Sequence, residues 1–167
     1  MRQISDQELK AKAYAVAKHG NQLYSTGLYS ETHLPAVVQV LIDCGFDTPF
    51  HLSCGWLHDT PEDTGCCLHE FAAEHGSDTF RAVMAVSGFG KNRKQKSPMI
   101  YENLRRSPEF CWLKVADRIA NVEASVSDKS KAKMYVEEHE RFTALVKDHV
   151  PATMFERYVR AIDAVRV

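Results

Sequence analysis

The stretch Trp56-Leu57-His58-Asp59-Thr60-Pro61-Glu62-Asp63-Thr64 puts one imidazole and three carboxylates into six residues, directly after an apolar helical segment. Groups of this kind near a helix end are costly to desolvate unless they are paired or bound to a metal. Mixed imidazole and carboxylate donors suit manganese, iron or zinc. His58 and Asp59 are adjacent, about 100° apart around a helix, so they reach one ion only from a helix end or a bend. Two neighbouring ligands do not complete a site, and the remainder must come from elsewhere in the chain. Asp117 is the best candidate, an acid within the otherwise apolar run Trp112-Leu113-Lys114-Val115-Ala116-Asp117-Arg118-Ile119-Ala120-Asn121. A carboxylate there needs a partner, either a cation such as Lys114 or Arg118 or a metal. His33, just ahead of Pro35, is the best-placed further imidazole. Read singly, each of these residues is equally compatible with a solvated helix end, a surface ion pair or a capping histidine.

Around these residues helical signals dominate. Ser5 and Glu8 form a capping box ahead of Leu9, Ala13, Val16 and Ala17 at helical spacing, and Gly20 stops that helix. Gly20 to Glu31 reads as a loop, and Pro35 opens a second helix that runs to Gly45. A third helix is expected from Thr48-Pro49 to His58-Asp59, with Pro61 near its end. Short helices follow over 68–74 and 79–86, broken by Gly88-Phe89-Gly90. Lys91 to Pro98 reads as a basic loop. A core helix marked by Phe110, Leu113, Ala116, Ile119, Ala120 and Val122 carries Asp117, and two further helices are expected over about 130–147 and 152–165, separated by Pro151. No segment alternates for long enough to be a strand, and there is no internal repeat. The expectation is an all-α, compact helical bundle forming one domain over 1–167.

Bulk properties narrow the function classes. With 44% hydrophobic and 26% charged residues the composition is that of an ordinary globular protein. A net charge of −1 gives no global attraction to nucleic acid. Any anionic substrate must be met locally, by Lys91-Asn92-Arg93-Lys94-Gln95-Lys96. No apolar run approaches a membrane span, and the first residues do not begin a signal peptide. Five cysteines without a CxxC pair read as thiols in a reducing compartment, and a zinc cluster at Cys66, Cys67 and His69 lacks a second ligand pair. The expected setting is cytoplasmic, with a small-molecule partner and neither nucleic acid nor membrane.

The ordered set H…HD…D, with HD inside Trp56–Thr64 and the last Asp inside Leu113-Lys114-Val115-Ala116-Asp117-Arg118-Ile119-Ala120-Asn121, resembles the HD superfamily of metal-dependent phosphohydrolases. More narrowly it is similar to the hydrolase domain of RelA/SpoT-type alarmone enzymes and to stand-alone small alarmone hydrolases. Three further blocks match: Ala13 through His19 to Gln22, Tyr29 to His33, and Tyr135-Val136-Glu137-Glu138-His139-Glu140-Arg141-Phe142. The likeness spans about Leu9 to Leu145. It implies an HD-type helical bundle, with no synthetase domain following.

By this resemblance His33, His58, Asp59 and Asp117 hold one divalent metal ion, Mn2+ first among the choices. Glu62 and Asp63 form the acid/base pair that orients and deprotonates the attacking water. Asn121 meets the sugar or a phosphate, and His19 aligns with a histidine that is not a ligand. The implied reaction removes the 3′-pyrophosphate of ppGpp-like guanosine or adenosine alarmones. The alternatives are an HD-type phosphatase for another phosphorylated nucleotide and a catalytically silent nucleotide-binding module. Lys91 and Arg93 are expected to clamp the polyphosphate, with Arg105 and Arg106 as a second option. Two departures fall where the base would bind. Tyr24 stands where the family usually has Arg, and the loop Gly27-Leu28-Tyr29-Ser30-Glu31-Thr32-His33-Leu34-Pro35 differs by one residue and in its proline. Tyr24 is therefore expected to contact the base and to relax its selection.

Overall fold

The computed structural model describes residues 2–25 and 27–166. Ten α-helices account for most of them: α1 (Asp6–His19), α2 (His33–Asp43), α3 (Pro49–Leu57), α4 (Thr60–Asp63), α5 (Leu68–His75), α6 (Ser77–Val86), α7 (Arg93–Arg106), α8 (Cys111–Ala124), α9 (Lys129–Val146) and α10 (Ala152–Val165). The all-α class and the general run of helices follow the sequence.

Helix α8 is the axis of the core. Trp112, Leu113, Val115, Ala116, Ile119, Ala120 and Val122 are all buried, and α2, α3, α6, α9 and α10 pack against it. A polar side chain on so enclosed a helix has no solvent to turn to and must find a partner, so α8 is where a buried acid such as Asp117 is most constrained. Helix α3 joins the same core through Leu52, Cys54, Trp56 and Leu57. Gly55 lets α3 approach α2, since a Cβ there would lie 2.8 Å from Leu41 Cδ1.

Local chemistry sets the boundaries. The Ser5 hydroxyl accepts from the Glu8 N–H at the start of α1, while the Glu8 carboxylate turns to Arg2 and to the Trp56 indole. Thr48 caps α3 and Pro49 occupies its first turn. Helix α9 starts at Asp128, whose carboxylate accepts from the Ser130 and Lys131 N–H groups.

Three expectations change. The third helix ends at Leu57, because the chain bends through His58 and Asp59 and Pro61 opens the separate turn of α4. Most of the segment 91–98 is helix rather than loop: α7 begins at Arg93, capped by the Asn92 side chain, and Pro98 lies inside it. Pro98 removes a single intrahelical donor, and the cap and the buried Ile100, Tyr101 and Leu104 carry the helix past it. The 20–31 loop contains a short antiparallel pair, β1 (Leu23–Tyr24) with β2 (Gly27–Leu28), in which Leu23 faces Leu28 and Tyr24 faces Gly27.

Candidate metal centre and acid/base pair

His33 is the first residue of α2, His58 and Asp59 form the bend between α3 and α4, and Asp117 lies in the middle of α8. These four residues bring one ligand atom each to within 4.8 Å of one another. The bend is what makes this possible, since it turns two adjacent residues toward a common point. His33 Nε2 is 3.2 Å from His58 Nε2 and 3.2 Å from Asp117 Oδ1. His58 Nε2 is 3.0 Å from Asp59 Oδ2 and 3.6 Å from Asp117 Oδ1, and His33 Nε2 is 3.5 Å from Asp59 Oδ2. Ligands about 2.1 Å from one ion stand roughly 3.0 Å apart at an octahedral right angle and about 3.4 Å apart at a tetrahedral one. The donors thus already have the spacing of a coordination polyhedron.

The surroundings orient each donor. His58 Nδ1 lies 2.9 Å from the Gly55 carbonyl, which can only accept, so Nδ1 carries the proton and Nε2 faces the cluster. Asp117 receives the Lys114 ammonium on Oδ2 at 2.8 Å and the Asn121 amide on Oδ1 at 2.5 Å. Asp59 accepts a hydrogen bond from the Tyr29 hydroxyl. Burial pushes the Asp59 and Asp117 carboxyls up. The His58 charge overrides it at Asp59 and the Lys114 charge at Asp117, and both acids stay well below the usual carboxylate range. Burial pushes both imidazoles down, and the two carboxylates more than reverse this. Two carboxylates, one buried and one partly buried, that raise the proton affinity of two buried imidazoles call for positive charge at their common point, which a divalent ion would supply in place of the protons. The residues present fit a divalent metal of the imidazole-and-carboxylate class.

One turn on, α4 carries Glu62 and Asp63. Glu62 Oε1 meets the Lys96 ammonium at 2.8 Å and Oε2 accepts the Gly88 N–H at 2.7 Å. Asp63 Oδ1 lies 3.6 Å from Lys96, and Oδ2 accepts from the Gln22 amide at 3.0 Å. Gly88 makes this contact possible, because a Cβ there would lie 2.7 Å from the Lys96 carbonyl. Gln22 in turn pairs with His19, which is buried, stacks on Tyr29 at 4.9 Å, and supports the cluster from outside it.

The residues expected to hold substrate take varied positions. Asn121 lies beside Asp117, and its carbonyl accepts from the Tyr24 hydroxyl at 2.9 Å. The Tyr24 ring stacks on His33 with centroids 5.0 Å apart, and the Lys131 ammonium stands 5.4 Å above it. Tyr24 is thus tied to the centre through His33 and Asn121 and remains partly exposed. Arg93 forks onto Glu138 at 2.7 and 2.6 Å. Lys91 is exposed, and its backbone N–H is held by Gln95. Arg105 and Arg106 pair with Glu102 on the surface.

Two residues that contact the site were not singled out for it in the sequence. Lys96 was one charge among several in a basic run. Tyr29 was legible only as the first residue of the Tyr29-to-His33 block. Lys114, an ammonium one turn before a buried acid, was legible as a partner of Asp117.

Fold and site together define an all-α bundle of the HD-domain fold with a four-residue cluster of metal-ligating groups. No protein-family model matches the chain. Over 120 residues, 66% of the chain, it is 32% identical to a probable GTP pyrophosphokinase of Mycobacterium leprae, and the match spans 15% of that longer protein. In fold it is similar to a solved metazoan orthologue of SpoT, described as hydrolysing ppGpp and as playing a role in starvation responses. The TM-score is 0.76, with 18% identity, covering 99% of this chain and 96% of that one. No helix among the described residues is long and apolar enough to cross a membrane.

Proposed function

We propose that this chain, over residues 1–167, is a single-domain metal-dependent phosphohydrolase that removes the 3′-pyrophosphate from ppGpp-like alarmones. The observation that carries this reading is the convergence of His33, His58, Asp59 and Asp117 one turn before the Glu62–Asp63 pair. The four would hold one divalent ion, Mn2+ in this reading, and Glu62 and Asp63 would serve as acid and base. When bound, the ion supplies Lewis acidity toward the phosphoryl group.

The chain's own residues provide the rest. Asn121, fixed between Asp117 and Tyr24, offers polar contacts to the ribose or a phosphate. Glu62 and Asp63, held in place by Lys96, Gly88 and Gln22, take the proton of the attacking water and return one to the departing 3′ oxygen. Water oxygen bonds to phosphorus, the bond from phosphorus to the 3′ oxygen breaks, and pyrophosphate and a 5′-phosphorylated nucleoside result. The substrate is a small nucleotide and the setting cytoplasmic.

The panel that tests this is ppGpp, ppApp, a nucleoside 3′-phosphate, a 5′-monophosphate and a 5′-triphosphate, each with excess Mn2+. The expected result is pyrophosphate release from the 3′-pyrophosphorylated compounds alone. Orthophosphate release from simple nucleotides, with none of that activity, would replace the reading with a nucleotide phosphatase. Tyr24 favours keeping this second reading in the panel, because the arginine expected at the base is missing. A protein that binds the panel and turns over none of it would be a silent binding module.

A further inference from the structure

We propose that Lys96 is the residue that grips the pyrophosphoryl group of the substrate, a role that Lys91 and Arg93 do not fill. This deepens the alarmone reading and rests on it. The basic run 91–96 carries four cations, and the fold sorts them. Both ends of the Arg93 fork are occupied by Glu138. Lys91 and Lys94 are exposed, with no ion pair to the centre among the described residues. Lys96 points inward from the first turns of α7, a quarter exposed, onto both Glu62 and Asp63.

An ammonium has three donors. One meets Glu62 at 2.8 Å, and Asp63 at 3.6 Å lies beyond hydrogen-bond distance, so donors remain for a further anion. An oxygen of a pyrophosphoryl group bound there lies one ammonium away from Glu62. That spacing sets the phosphorus beside Glu62 without bringing like charges into contact. The same ammonium neutralises the two carboxylates that would otherwise repel a polyanion. Lys114 is largely covered and paired with the cluster acid Asp117, and Lys131 stands over the Tyr24 ring, so Lys96 is the cation that faces Glu62 and Asp63. The reaction leaves Lys96 chemically unchanged: it holds the group that water attacks while the bond to the 3′ oxygen breaks.

The test compares wild type with Lys96→Met, Lys96→Arg and the surface control Lys94→Met, all in excess Mn2+. Product inhibition of ppGpp hydrolysis by pyrophosphate should weaken about tenfold or more in Lys96→Met, with kcat/KM falling roughly 100-fold. Inhibition by GDP and the Mn2+ affinity should stay within about twofold, and Lys96→Arg should recover much of the pyrophosphate response. A loss of kcat with pyrophosphate inhibition unchanged would reduce Lys96 to a positioning residue for Glu62 and overturn the proposal. Equal weakening toward pyrophosphate and GDP, or loss of metal, would overturn it as well. If wild type turns over no 3′-pyrophosphorylated nucleotide, the alarmone reading fails separately. Equilibrium dialysis of labelled pyrophosphate against Mn2+-loaded wild type and Lys96→Met then still decides Lys96. Binding lost in the variant supports the grip, and equal or absent binding overturns it.

Discussion

Each carboxylate oxygen of Glu62 and Asp63 has a donor facing it: Lys96, the Gly88 N–H and the Gln22 amide. A pair held this way is oriented before substrate arrives, which is where positioned acid/base catalysis gains its rate. Glu62→Gln and Asp63→Asn keep shape and remove the carboxylate proposed as base. Each should lower kcat by about 10²–10⁴-fold while Mn2+ content, measured by elemental analysis, stays at wild-type level. Metal lost in step with activity would make these residues ligands. Tyr24 gives a second prediction at this scale. Tyr24→Phe keeps the stack on His33 and removes the hydroxyl that holds Asn121. It should raise KM several-fold and leave metal affinity unchanged, checked by steady-state kinetics beside a metal titration. If Tyr24 contacts the base, Tyr24→Arg should sharpen the preference of ppGpp over ppApp. An unchanged preference would place base selection elsewhere.

At the scale of elements, the site depends on two helix junctions and one close approach. The break between α3 and α4 turns His58 and Asp59 toward one point and delivers Glu62 and Asp63 a turn later. The loop after α6 runs against the start of α7 at Gly88, where a Cβ would meet the Lys96 carbonyl at 2.7 Å and the Lys96 Cα at 3.0 Å. Both obstacles are backbone and cannot rotate aside. Gly88→Ala should therefore push the loop off α7, taking the N–H from Glu62 and shifting Lys96. The expected cost is about 1–3 kcal/mol in stability by urea denaturation, with kcat reduced tenfold or more. A variant that loses stability and keeps full kcat would show that the Gly88 N–H is dispensable.

Across the whole molecule, one ion network ties three helices together behind the site. Glu138 on α9 accepts from Arg93 on α7 and from Arg118 on α8. Arg118 is buried against Tyr135 and Phe142. Burial alone would raise the Glu138 carboxyl, but the Arg93 hydrogen bonds and the Arg118 charge hold it down at about 2. A folded-state value below the unfolded one contributes stability that is fully present above about pH 4.5 and is lost as pH falls toward 2. Glu138→Gln leaves the buried Arg118 without its counter-charge and should cost roughly 2–3 kcal/mol at pH 7. The difference from wild type should shrink below pH 4.5, read from denaturation midpoints at pH 7, 5, 4 and 3. A gap independent of pH would assign the loss to packing.

Helical periodicity, caps and prolines were enough to write the all-α course of the chain, because each of these signals acts within one or two turns. The HD order and the acid inside an apolar helix were enough to nominate His33, His58, Asp59 and Asp117, since a buried charge demands a partner wherever the chain goes. The basic run 91–98 reads as a loop in the sequence, and α7 starts within it because the Asn92 cap and a buried face that only packing reveals carry the helix past Pro98. Which cation meets which acid was for the most part beyond the sequence. Lys114 precedes Asp117 by one turn and was legible as its partner, but Arg93, Lys96 and Arg118 are alike in charge, and their partners lie 20 to 45 residues away. Pairings of that range are decided by how α4, α7, α8 and α9 stack, and only the tertiary structure contains that.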